Sequence, residues 1–207
     1  WLDGKIKAAA DSLFHREGLV EKYSKLLPKY PDTIYHRWRL DRIIRMGGVK
    51  VDNIKELNYR LSEINGELGS KKQCNAIVVL IKNQPREYLY ALEQYWVGAN
   101  KNDIVLVISV DGENKIQWAD VLAFVQKSIF KIELRDEIQK MPILEMDKVL
   151  TTLEDQIKKN YKRKRMRDFE YLTASITPST TQYVVTIIIC TILSVGLSII
   201  FHREDVA

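Results

Sequence analysis

Cysteine and histidine are scarce in this chain, and each scarcity closes off a class of function. The only cysteines are Cys74 and Cys190. Cys74 precedes an apolar run that reads as a buried strand and Cys190 lies inside a long apolar run, so the two are not expected to meet and no disulfide framework exists. The histidines, His15, His36 and His202, fall in separate segments. That disfavours a histidine-based phosphatase or metal site, and H-E-x-x-H is absent. Also missing are a glycine-rich phosphate loop, a nucleophile elbow and a paired-cysteine metal knuckle. No internal repeat or low-complexity tract interrupts a globular composition of 46% hydrophobic and 29% charged residues. The net charge of +5 is unevenly placed, so a general affinity for nucleic acid does not follow from it. The sequence starts at Trp1, from which an upstream piece is expected, a signal or a first membrane segment.

What the chain does have is YVVTIIICTILSVGLSIIF, bounded by Tyr183 and Phe201, without a charge, a proline or an amide side chain. A helix rises about 1.5 Å per residue, so this stretch nearly crosses a hydrocarbon core of about 30 Å. Thr186, Thr191, Ser194 and Ser198 can return their hydroxyls to backbone carbonyls, so they do not disqualify it. The competing reading is the core helix of a soluble protein. The expectation is a transmembrane helix over 183–201 with a short tail at 202–207. Gly196 with Ser194 and Ser198 offers small side chains for a partner helix, although GxxxG itself is absent.

Residues 1–46 read as a helical extension. Ile6, Ala9, Ala10, Leu13 and Phe14 recur at helical spacing, a short run follows Gly18, and Asp32 or Thr33 is placed to cap a third helix carrying Ile34, Trp38, Ile43 and Ile44. The basic and aromatic run around Trp38 is read as a solvated helix face rather than an RNA or phospholipid-headgroup contact. Residues 47–140 read as an α/β domain. Val51, Ile54, Leu57, Leu61, Ile64 and Leu68 make one helical stripe, with Asp52 as N-cap and Gly69 as stop. AIVVLI and IVLVISV read as strands buried on both faces. Between them Pro85 opens a helix that carries Tyr88, Leu92, Tyr95 and Trp96 inward. A turn at Asp111-Gly112-Glu113-Asn114 leads to an antiparallel return over 115–118, and helical pattern resumes after Asp120 with Val121, Phe124, Val125, Ile129 and Phe130, then Ile132, Leu134 and Ile138. Strand, helix, strand implies a right-handed parallel crossover. Residues 141–172 read as an amphipathic helix with a basic end, and 173–182 as a polar linker stopped by Pro178. The fold class expected is a small mixed-sheet α/β sandwich with a helical N-terminal extension and one C-terminal transmembrane helix.

The helix VDNIKELNYRLSEINGELGSKKQ entering NAIVVLI, and YWVGANKND entering IVLVISVDGENKI, resemble the TPM-domain family over about residues 47–120. Trp96, Gly98 and Asp103 stand at that family's hallmark positions, with Asn102-Asp103-Ile104 where many members have Asp-Asn-Gly. The basic tail and single span are similar to membrane-anchored TPM-like proteins of large bacteriophages and some bacteria. The resemblance implies an extracytoplasmic, membrane-tethered helper or assembly module, in some members with acid phosphatase activity.

Two groups of residues are candidates for sites. Ligands of α/β layers favour the carboxyl ends of parallel strands. Those ends deliver Lys82, Asn83 and Gln84, then Asp111 and Glu113. Asn83, Asp111 and Glu113 are candidate ligands of a weak site for calcium or another divalent cation, but ordinary turn and capping acids explain the same residues and are the preferred reading, so no cofactor is expected. Lys158, Lys159, Lys162, Arg163, Lys164, Arg165 and Arg167 form a basic cluster suited to anionic lipid headgroups, at about 1 kcal/mol per cation near such a surface, set against cations at a helix C-terminus. Lys and Arg weigh before the span, which by the positive-inside rule puts the domain in the cytoplasm. The resemblance puts it outside, and that side is preferred, at a bacterial inner membrane. The function expected is a non-enzymatic interaction or assembly module at the bilayer. Alternatives are a divalent-metal phosphatase using Asp111, Glu113 and Asp103, and an accessory subunit of a larger membrane complex.

Overall fold

The computed structural model describes residues 16–31, 41–165, 167–170 and 179–204. The chain divides into two compact units, Trp1–Met166 and Arg167–Ala207. The apolar positions from Ile6 to Phe14, the segment around Trp38 and most of the expected linker lie outside the described residues.

In the first unit the order is α1 (Leu19–Tyr23), β1 (Ile43–Arg45), α2 (Ile54–Lys72), β2 (Asn75–Lys82), α3 (Glu87–Tyr95), β3 (Asp103–Val110), β4 (Ile116–Ala123), α4 (Ile129–Gln139) and α5 (Met146–Asn160). The four strands form one mixed sheet in the order β1-β2-β3-β4. The first three are parallel and β4 is antiparallel to β3. The two central strands are apolar from Ala76 to Ile81 and from Ile104 to Ile108 because both faces are covered. Ala76, Val78 and Leu80 of β2 point into a core shared with α2, α4 and α5, whereas Ile77, Val79 and Ile81 point into one shared with α1 and α3. This alternation is the period-2 pleat carried through a continuous apolar run. On the helices, Leu57, Leu61, Ile64 and Leu68 of α2 and Met146, Val149, Leu150, Leu153 and Ile157 of α5 are buried at steps of three and four. Helix α5, at whose end the basic run begins, therefore belongs to the same core as the sheet.

The connections β1–α2–β2 and β2–α3–β3 both step in one direction along the sheet, yet α2 and α3 lie on opposite faces. Such connections have opposite hands, so one of the two departs from the right-handed preference.

Several expected boundaries move. Ile43 and Ile44 are not helical but form β1, each facing a different core. Three residues are too few to display a period, and the strand is held by β2 on one side while Asn58 Oδ1 accepts from Ile43 N at 2.9 Å. Asn53, not Asp52, precedes α2, in a left-handed conformation and without a side-chain cap bond. Gly69 does not stop α2, which runs on to Lys72 and ends at left-handed Gln73. A Cβ at Gly69 would stand 3.3 Å from the carbonyl oxygen of Cys74, so this glycine admits the returning chain. Tyr95 faces solvent rather than the core, while Tyr88, Leu92 and Trp96 are buried. The antiparallel return is longer than expected: Val121 lies in β4, and helix resumes only at Ile129. Asp120 hides that strand by interrupting its apolar pattern, and its carboxylate accepts from Arg86 Nε at 3.0 Å.

The second unit contains a turn over 167–170 and the helix α6 (Thr180–Glu204). Its first turn is closed by a reciprocal pair: Ser179 N donates to Gln182 Oε1 at 2.8 Å, and Gln182 N donates to Ser179 Oγ at 3.3 Å. This capping box, readable as S-T-T-Q, starts the helix three residues before Tyr183. Thr180–His202 is long and apolar enough to cross a membrane, with a mean hydropathy of 2.7 and none of its apolar window buried.

Candidate functional site

Trp96, Gly98 and Asp103 are brought together at the amino ends of β2 and β3. Asp103 opens β3 and is 3% exposed. Its Oδ2 accepts from the Tyr30 hydroxyl at 2.7 Å and from Asn100 N at 2.8 Å, and its Oδ1 accepts from Asn75 Nδ2 at 2.8 Å. Burial pushes the Asp103 carboxyl above its ordinary range, and the donors with nearby Arg42 only partly oppose this. Trp96 Nε1 donates to the carbonyl of Pro28 at 2.8 Å, and its ring meets Tyr30 edge-on at 5.3 Å between centroids. Gly98 sits at φ 74, between Val97 at φ 52 and Ala99 at φ 60. Three successive left-handed residues turn the chain from α3 back towards β3, a path that only glycine takes without strain. Together these groups tie the segment at 28–31 to the sheet. Sequence reasoning singles out Trp96, Gly98 and Asp103 but misses Tyr30, Asn75 and Asn100, whose partnership spans up to 73 residues.

At the opposite, carboxyl end, Asn83 and Asp111 directly follow the adjacent strands β2 and β3, with Asn83 N donating to Val110 O at 2.8 Å. Asp111 Oδ1 accepts from Glu113 N at 2.8 Å and Lys115 N at 2.9 Å, which folds the hairpin turn. The Lys115 N–H in particular holds the Asp111 carboxyl below the usual carboxylate range. Glu113 pairs with Lys115 at 2.6 Å, and Asn83 Oδ1 accepts from Gln117 Nε2 at 3.4 Å. Asp103 lies at the other end of its strand. Among the described residues no group of three or more His, Cys, Asp or Glu side chains is placed to hold a metal ion.

The basic cluster does not stay together. Lys159, Lys162 and Arg163 line a cleft of about 700 Å³ with Lys71 and Lys72 from the end of α2 and Lys127 from the start of α4. It sits at the same end of the sheet as Asp103, because α2 ends there and the antiparallel β4 delivers Lys127 there. After α5 the chain pairs Arg163 with Val125 in an antiparallel bridge, and Gln126 N donates to Lys162 O at 2.9 Å. This seam fixes the backbone of the cluster beside β4. Lys158 turns away to Glu154, and its carbonyl accepts from Lys72 Nζ at 2.9 Å. Lys164 lines a different hollow, with Glu93 and Lys131, while Arg165 and Arg167 are exposed. Lys71, Lys72 and Lys127 carry no linear signal joining them to the cluster, since only the core brings their helices together.

In α6, Tyr183 and Phe201 are exposed, and Thr186 and Thr191 hydroxyls donate to Gln182 O and Ile187 O at 2.8 Å each. Ser194 and Ser198 share a stripe with His202. At about 100° per residue Gly196 falls on the far side from Ser194, so the expected small face does not include it. Comparison of the chain with protein-family models, with curated proteins and with solved structures finds no match.

Proposed function

We propose that this chain is a membrane-anchored α/β module, TPM-like in its order of parts, that acts by binding other membrane proteins at the bilayer surface rather than by catalysis. The observation that carries the reading is α6. Among its apolar side chains Ile187, Ile192, Leu193 and Phe201 are each more than half exposed, and none of the apolar window is buried. Val, Ile, Leu and Phe each contribute about 0.3–0.6 kcal/mol on insertion at mid-helix. The twelve such residues at 183–201 thus contribute on the order of 5 kcal/mol, and the bonded threonines subtract little. The binding reading is supported by the carboxylates at both sheet ends, each already held by neighbouring donors.

The test combines extraction and turnover. Membranes containing the full chain are washed with alkaline carbonate, cross-linked, and assayed with a generic phosphate ester. Retention in the pellet with discrete cross-linked species and no turnover is expected. Release into the supernatant would overturn the anchor, and cation-dependent turnover lost in Asp111→Asn would replace the binding module with a phosphatase.

A further inference from the structure

We propose that the basic cleft between the end of α2, the start of α4 and the end of α5 binds a phosphate-bearing anion about the size of a phospholipid headgroup. Six cations, Lys71, Lys72, Lys127, Lys159, Lys162 and Arg163, surround its space of about 700 Å³, a volume ordinary for a small-ligand site. They come from three separate stretches of sequence. The helices that carry them are locked together by Leu68, Phe130, Leu134, Leu153 and Ile157 in one core, so backbone motion cannot relieve their mutual repulsion.

A solvated helix end accounts for only part of this. Lys71 pairs with Glu67, and Lys72 reaches the Lys158 carbonyl in the last turn of α5, as cations at helix C-termini do. Lys127 sits just before the amino end of α4, where the helix dipole repels a cation, so dipole compensation cannot explain it. Lys127, Lys159 and Lys162 are exposed, and none of them pairs with a carboxylate among the described residues. An anion in the cleft would satisfy all three at once.

The rim favours a lipid or small phosphate over nucleic acid. Single strands are held largely by bases stacking on aromatic rings, and the only aromatic side chain lining the cleft, Tyr161, is 3% exposed. The rim instead carries Ile129, 45% exposed, with Ile132 one turn further on, aliphatic surface of the kind an acylglycerol meets. The choice of a lipid source rests on the membrane reading above, whereas binding of phosphate itself does not.

The experiment titrates the full chain, in neutral detergent micelles, with pyrophosphate, dioctanoyl phosphatidate, dioctanoyl phosphatidylcholine and a short single-stranded RNA, followed by calorimetry. Pyrophosphate or phosphatidate is expected to bind, more weakly as salt rises, while phosphatidylcholine does not. Tighter binding of phosphatidate assigns a lipid source, and tighter binding of pyrophosphate a free phosphate. Lys127→Glu/Lys159→Glu/Lys162→Glu is expected to weaken binding at least tenfold, and the milder replacement of the same three by Gln serves if the reversed variant does not fold. Lys25→Glu/Lys29→Glu/Lys55→Glu, an equal change of charge outside the cleft, is expected to change affinity less than twofold. Equal weakening by both triple variants, RNA as the only ligand, or no heat from either phosphate at millimolar concentration would overturn the proposal. Because the pyrophosphate arm needs no bilayer, its outcome is independent of whether α6 inserts.

Discussion

Asp103 sets two effects against each other within one side chain. Burial favours its protonated form, and three hydrogen-bond donors with Arg42 nearby favour the carboxylate; burial wins, and the folded pKa lies above the ordinary one. The sign for stability follows from proton linkage. An acid whose folded pKa is raised binds protons more tightly in the native state, so its contribution is complete below the unfolded value, near 3.8. It is lost as pH climbs from there to the folded value. Asp103→Asn removes that titration while leaving every other carboxylate in place. The stability of the wild-type chain minus that of this variant is therefore expected to fall as pH rises from 4 towards neutrality, measured by denaturant unfolding in neutral detergent. A difference that rises instead would mean that the donors outweigh burial. The residue itself stands out in the sequence because a polar turn entering an apolar strand draws attention. Its partners do not: Tyr30 lies beyond Pro28 in a segment whose pattern reads only as the end of a short helix, and a hydrogen bond across 73 residues leaves no local trace.

Among the elements, the legible ones are long and periodic. The stripe of α2, the apolar runs of β2 and β3 and the amphipathic α5 can be read directly, since burial on one stripe or on both faces writes a repeated pattern. The strands at the two edges of the sheet escape such a reading for different reasons. β1 is too short to show alternation, and β4 carries Asp120 at a position where its partner Arg86 comes from another element. In α4 the sequence pattern mixes core and surface, giving Phe130, Ile132 and Leu134 equal weight. The structure separates them: Leu134 is fully buried between α5 and the sheet, whereas Ile132 is 43% exposed. Leu134→Ala is expected to cost about 2–5 kcal/mol, as cavity-forming core truncations do. Ile132→Ala is expected to stay within about 0.5 kcal/mol of the wild type. Thermal unfolding followed by near-ultraviolet circular dichroism distinguishes the two, and a comparable loss in both would place Ile132 in an interface.

For the whole molecule, the apolar helix is legible from composition alone, because its long uncharged run is a signal of length rather than of register. The basic cleft is half legible. The cations after α5 form a visible run, but their convergence with Lys71, Lys72 and Lys127 is a product of tertiary packing, and the rule that ligands gather at the carboxyl ends of strands points to the other end of the sheet. The anchor is the premise on which a surface-bound module depends, and the sequence provides its own probe. Cys190 lies near the middle of α6, while Cys74 is buried with its thiol pushed up to about 11 by desolvation. In a Cys74→Ala chain, Cys190 is the single thiol. A nitroxide attached to it in detergent and carried into phosphatidylcholine liposomes reports its surroundings by collision with dissolved oxygen and with a water-soluble nickel complex. The account predicts high oxygen and low nickel accessibility, the signature of the hydrocarbon interior; high nickel accessibility at Cys190 would place α6 in water and contradict it.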